Sequence, residues 1–228
     1  MRRLQVFQHV LDFILRCGSS DLAELEECTA YVSHAESPSL FWCQLDSSID
    51  ILDSISGALA EGYGSAAEAD KASPKLACGD FVVALSPDDE VLYRAKVIKD
   101  YGDNKVAVRF VDYGNESEVS RDKIYSIKDE DTKIPSQAFM CCLDKIKPAA
   151  TDDDWSQEAC DKFSELVMDK ELVLKLVGRN SGEGVIVDLV GSDNLSIVSA
   201  LLEAGFGQAA EGGKLTKCSN LSEVKVLL

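Results

Sequence analysis

The octapeptide Val108-Arg-Phe-Val-Asp-Tyr-Gly-Asn115 and the runs that flank it leave this chain little conformational choice. Ahead of it, Val91-Leu-Tyr-Arg-Ala-Lys-Val-Ile98 alternates as a half-buried strand does, and Glu116 to Val119 form a third β-rich run. Asp100-Tyr-Gly-Asp-Asn104 separates the first two runs with turn residues, and Gly114-Asn115 supplies the positive-φ chemistry of a tight reversal. The pattern predicts a small, strongly bent sheet. On a strand, Phe110 and Asp112 share one face while Val111 and Tyr113 share the other. A bend at Tyr113-Gly114 would bring Phe110 and Tyr113 towards one rim, a point that spacing alone does not decide.

Gly79-Asp80-Phe81, Leu92-Tyr-Arg-Ala-Lys96 and Phe110-Val-Asp-Tyr-Gly-Asn115 together resemble a Tudor domain. The likeness extends upstream through Tyr31-Val-Ser-His-Ala-Glu-Ser-Pro-Ser-Leu-Phe-Trp-Cys-Gln-Leu45 and downstream through Ile134-Pro-Ser-Gln-Ala138 and Trp155-Ser-Gln-Glu-Ala159. Over residues 27–210 the chain resembles the extended Tudor module, in which a Tudor β-barrel is inserted into a staphylococcal-nuclease-like OB-fold. The resemblance implies an α+β fold, mostly β with helices, whose two lobes are joined by a long helix. The expected organisation is an N-terminal helical segment (1–26), the first part of the OB lobe (27–46), a connecting helix and linker (47–76), the Tudor barrel (77–127), the second part of the OB lobe (128–210) and a tail (211–228).

Local patterns fill in the elements. Leu4, Phe7, Leu11, Ile14 and Leu15 fall at helical spacing, with Gln8, His9 and Asp12 interrupting the apolar run, so the segment reads as an amphipathic helix and not as a signal peptide or membrane span. Ser19-Ser20-Asp21 offers a helix cap. Cys28 to Ser33 and Leu40 to Leu45 read as a hairpin. Ile49, Leu52, Ile55, Leu59 and Tyr63 mark a helix with one buried face, ending before the small, polar stretch from Gly64 to Pro74. Phe139 to Ile146 is expected as a strand, Trp155 to Met168 as a helix, Glu171 to Val177 and Gly184 to Val190 as a strand pair, and Ile197 to Ala204 as a helix closed by Gly205.

The net charge of −17 favours cationic partners and disfavours direct nucleic-acid binding. It also serves solubility. The eight cysteines include no C-x-x-C pair and the histidines are only His9 and His34, so neither a zinc site nor any cofactor is expected. Cysteines set among apolar residues read as core fillers of a reducing, intracellular protein.

The resemblance implies a cage for methylated arginine with Tyr93, Phe110 and Tyr113 as walls and Asn115 as the acceptor for the guanidinium. Aromatic faces stabilise a desolvated cation by about 0.5–2 kcal/mol per good contact. Methylation keeps the guanidinium charge while weakening its hydration. The partner so implied is an arginine-rich, symmetrically dimethylated tail of a PIWI-type Argonaute protein, in piRNA-mediated transposon silencing within perinuclear germ granules of the cytoplasm. The chain departs from the family at one wall: Leu85-Ser-Pro-Asp-Asp89 contains no ring where the family usually has one, and Leu92 stands where it often has tryptophan. Two alternatives stand beside the cage. In one, the rings line a methylation-independent platform for unmodified arginine peptide or another scaffold protein; in the other, Phe110 and Tyr113 are plain core residues. A nuclease would need carboxylates from separate elements around a metal, and Asp152-Asp-Asp154 reads instead as a solvated cap, so no enzyme is expected.

Overall fold

The computed structural model describes residues 27–64, 75–149, 154–179 and 184–210. The expected N-terminal helix and its cap, the linker after Gly64, Asp152-Asp153 and the tail lie outside these residues. In chain order the elements are β1 (Cys28–Ser37), β2 (Leu40–Leu45), α1 (Ile49–Tyr63), β3 (Phe81–Leu85), β4 (Leu92–Asp100), β5 (Lys105–Phe110), β6 (Glu116–Ser120), β7 (Ile124–Ser126), α2 (Asp129–Thr132), β8 (Phe139–Leu143), β9 (Ile146–Pro148), α3 (Gln157–Val167), β10 (Leu172–Arg179), β11 (Val185–Gly191), α4 (Ile197–Glu203) and β12 (Gly207–Ala209). They fall into two units, residues 27–47 with 138–210 and residues 48–137.

The first unit is a closed barrel in the order β1-β10-β11-β8-β2, antiparallel except where β11 runs parallel to β8. Alternation buries Ala30, Val32, Phe41, Cys43, Leu45, Leu172, Leu174 and Leu176 on its inner face. Phe163 of α3 meets Phe41 edge-on with ring centroids 5.1 Å apart. Ser156 caps α3 by accepting the Ala159 N–H at 3.2 Å. Trp155, expected inside this helix, precedes the cap and donates its indole N–H to Ser39 Oγ at 2.8 Å. The expected strand from Phe139 to Ile146 is divided, because Lys145 takes φ 56° between β8 and β9. The unanticipated β12 pairs with β9.

The second unit is a five-stranded antiparallel sheet in the order β6-β5-β4-β3-β7. All five strands feed one core of Val82, Ala84, Ala95, Val97, Val106, Val108, Phe110, Val119 and Ile124. The edge strands β6 and β7 are joined by a three-residue turn at Arg121–Lys123, so the sheet curls around that core. On its other face Val83 packs against Ile55, Leu59 and Tyr63 of α1. Ile49, expected on the buried face of this helix, is 45% exposed, because it opens the helix ahead of the contact. Leu52 is half-buried.

The helix of the expected 47–76 connection thus clusters with the sheet, and so do residues 128–137, which the resemblance assigns to the OB lobe. The Tyr63 hydroxyl donates to Asp131 Oδ2 at 2.7 Å and accepts the Lys128 N–H at 2.9 Å. A second tie comes from β4. Arg94 donates from Nη1 to the Asp131 carbonyl at 2.8 Å and from Nη2 to the Pro135 carbonyl at 3.0 Å.

Candidate functional site

Tyr93 stands near the start of β4, and the chain returns to it at the end of β5. There the Tyr113 N–H (3.2 Å) and the Gly114 N–H (2.7 Å) both donate to the Phe110 carbonyl. The Phe110 N–H donates back to the Asn115 carbonyl at 3.0 Å. Gly114 sits at φ 98°, a conformation that costs glycine little. This turn breaks the strand alternation that would have separated the two rings. Tyr113 packs edge-on to Tyr93 with centroids 5.1 Å apart and an interplanar angle of 77°, while Phe110 lies 5.1 Å from Tyr93 at 55°.

The three predicted rings are therefore brought together and Asn115 is tied to Phe110 through its backbone carbonyl, with different exposures. Tyr93, Tyr113 and Asn115 are half-buried. Phe110 is 2% exposed and belongs to the sheet core, so it backs the Tyr93 ring from behind. A shallow groove beside the rings is lined by Leu52, Ile55 and Ser56 of α1, Leu92 and Tyr93 of β4, and Tyr113.

Beneath the rings lies a buried ion pair that sequence reasoning missed. Arg94 holds Asp112 bidentately, Nε to Oδ2 at 2.9 Å and Nη2 to Oδ1 at 2.6 Å, with the two side chains 4% and 3% exposed. The Gln137 N–H also donates to Asp112 Oδ1 at 3.0 Å. Fork-to-fork pairing fixes direction as well as distance. Asp112 thus anchors the turn that presents Tyr113, and the available signal was an Arg and an Asp each placed beside a candidate ring.

The ring-free turn between β3 and β4 is closed by hydrogen bonds from the Ser86 N–H to the Val91 carbonyl (2.9 Å) and from the Glu90 N–H to the Ser86 carbonyl (3.0 Å). Asp89 Oδ1 accepts the Val91 N–H at 3.1 Å, and Oδ2 accepts the Tyr93 hydroxyl at 2.7 Å. Burial pushes the Asp89 carboxyl up, but the hydrogen bonds from Tyr93, Ser86 and Val91 outweigh it and hold the group below its usual range. Burial and the bond to Asp89 raise the Tyr93 phenol. Burial, followed by the charges of Asp112, Asp53 and Asp89, raises that of Tyr113. Both phenols stay neutral. Arg94 already balances Asp112, so Asp53 and Asp89 supply the negative charge that attracts a cation to the rings and repels phosphate.

The Tudor domain profile matches residues 22–145. The chain belongs to the Tudor domain family. It has the extended Tudor fold: the extended Tudor domain of mouse TDRD1, solved with a MILI peptide containing dimethylarginine, is 26% identical and superposes with a TM-score of 0.74 over 82% of this chain and 94% of that one. The human TDRD1 extended Tudor domain, solved with a symmetrically dimethylated peptide, is 27% identical with a TM-score of 0.72, over 81% of this chain and 91% of that one. Tudor domain-containing 6 of Danio rerio is 32% identical over 163 residues, which are 72% of this chain and 8% of that relative. This chain therefore spans a small fraction of that longer Tudor protein.

Proposed function

We propose that this domain is a non-catalytic module that binds arginine-rich peptide, with one arginine side chain held against Tyr93 and Tyr113, Phe110 backing the Tyr93 ring and Asn115 accepting from the guanidinium. The observation that carries the reading is the pair of half-buried tyrosine rings meeting edge-on at 5.1 Å with the Asp89 carboxylate held on the Tyr93 hydroxyl at 2.7 Å. Ring faces and negative charge both favour a cation, and a guanidinium offers only donors, which Asn115 can accept. The Asn115 side chain has no hydrogen bond to another described residue, while its carbonyl is occupied by Phe110. Family membership and the dimethylarginine complexes of the TDRD1 domains support symmetrically dimethylated arginine as the ligand. The further reading is that the peptide is the tail of a PIWI-type Argonaute protein and that the domain acts as a scaffold in piRNA-mediated transposon silencing in cytoplasmic germ granules.

A second reading is favoured by a specific observation. No aromatic ring occupies residues 86–91 and Phe110 is almost fully buried, so of the three predicted walls Tyr93 and Tyr113 are the two that reach solvent. Such a site rewards methylation less and serves as a methylation-independent arginine platform. Calorimetric titration of the chain with one arginine-glycine-rich peptide, unmodified, asymmetrically dimethylated and symmetrically dimethylated, separates the readings. Tightest binding of the symmetric form supports the first; equal binding of all forms supports the second; no binding of any form contradicts both.

A further inference from the structure

The turn that lacks a ring does not lack a function in the geometry of the site. It delivers a carboxylate to the one side chain that both neighbouring rings touch. Tyr93 is backed by Phe110, flanked by Tyr113 and held at its hydroxyl by Asp89 Oδ2 at 2.7 Å. The carboxylate is itself fixed, since its other oxygen takes the Val91 N–H at 3.1 Å inside a turn closed at both ends. We propose that Asp89 is a positioning residue that sets the methylation preference of the site by placing a negative charge beside the rings while locking Tyr93 through its hydroxyl. The proposal rests on the arginine-binding reading given above.

The physical reason is a difference in what rings and carboxylates reward. Ring enclosure favours a guanidinium whose methyl groups have weakened its hydration. A fixed carboxylate favours the cation with the more concentrated charge, because Coulomb attraction grows as the charges approach. A carboxylate fixed beside two rings therefore narrows the margin between dimethylated and unmethylated arginine. The site keeps its affinity for arginine and loses part of its discrimination.

The test titrates the intact chain with the same peptide in unmethylated and symmetrically dimethylated forms, for Asp89→Asn, Tyr93→Phe and Tyr113→Ala. Asp89→Asn keeps the shape and an acceptor for Tyr93 but removes the charge; it should weaken the unmethylated peptide about three- to fivefold more than the dimethylated one, the scale of one exposed charge pair. Tyr93→Phe keeps the charge and loses the hydroxyl tether, and should weaken both peptides by one common factor. Rising salt on the unaltered chain should erode unmethylated binding faster than dimethylated binding. An unchanged ratio in Asp89→Asn, or parallel salt curves, overturns the proposal. Full affinity in Tyr113→Ala overturns the arginine reading itself, whatever Asp89→Asn does.

Discussion

The two units solve the same problem, a small β core, with different materials. The closed barrel of residues 27–47 and 138–210 is filled with aliphatic, aromatic and thiol groups. Among the described residues, Asp144 is its sole buried polar or charged side chain. Ser48, Ser86, Arg94, Lys96, Asp112 and Gln137 all belong to the sheet unit of residues 48–137. Apolar packing is tolerant of direction, whereas a bidentate ion pair fixes an orientation. The sheet unit carries the candidate rings, and its buried charges hold the turn that presents them.

The largest effect expected is in the barrel. Phe163 is fully buried against Phe41. Phe163→Ala should cost about 4 kcal/mol in denaturant unfolding. Peptide affinity measured below the transition should be unchanged, and a parallel loss of affinity would erase the distinction between the units. Asp112→Ala should cost about 3 kcal/mol by leaving the buried Arg94 guanidinium with carbonyl acceptors but no counter-charge. It should also abolish peptide binding. The double replacement Arg94→Met with Asp112→Leu should recover stability relative to Asp112→Ala without recovering affinity, since it restores burial but not the tie on the turn. Recovery of both would reduce the ion pair to filler.

A smaller effect separates the units by pH. Burial, and then the neighbouring Cys43, push the Cys28 thiol up to about 11 from 9.0. A raised pKa means that the neutral thiol is preferred in the folded barrel. Its contribution is complete below the ordinary thiol range and is lost as pH rises through about 11. Between neutral pH and about pH 10.5 the unaltered chain should lose about 1–2 kcal/mol more than Cys28→Ala does. Equal losses in the two chains would contradict the assignment.

Much of this architecture was legible because its signals are local. Alternation marked β4 and β5, Gly114 marked the turn, and three-to-four spacing marked α1. Ile49 was misplaced because spacing does not say where along a helix the contact begins. Phe110 and Tyr113 could not be ranked as core or rim, since that depends on how far the chain bends after β5. The Arg94 clasp was invisible for another reason: Asp112 is 18 residues away and the Asp131 and Pro135 carbonyls are 37 and 41 residues away. In the sequence Asp89 shows only as the absence of a ring. Its bond to Tyr93 is close in sequence but depends on the path of the turn between them.

The most direct test of the account is calorimetric titration of Tyr113→Ala with the arginine-glycine-rich peptide beside the unaltered chain, with circular dichroism and thermal unfolding of both. Tyr113 is a half-buried ring on a turn anchored by Asp112 and Gly114, so its removal should leave the fold and melting behaviour close to those of the unaltered chain while removing most of the peptide affinity. Undiminished binding, or a chain that no longer folds, would contradict the placement of Tyr113 at the ligand.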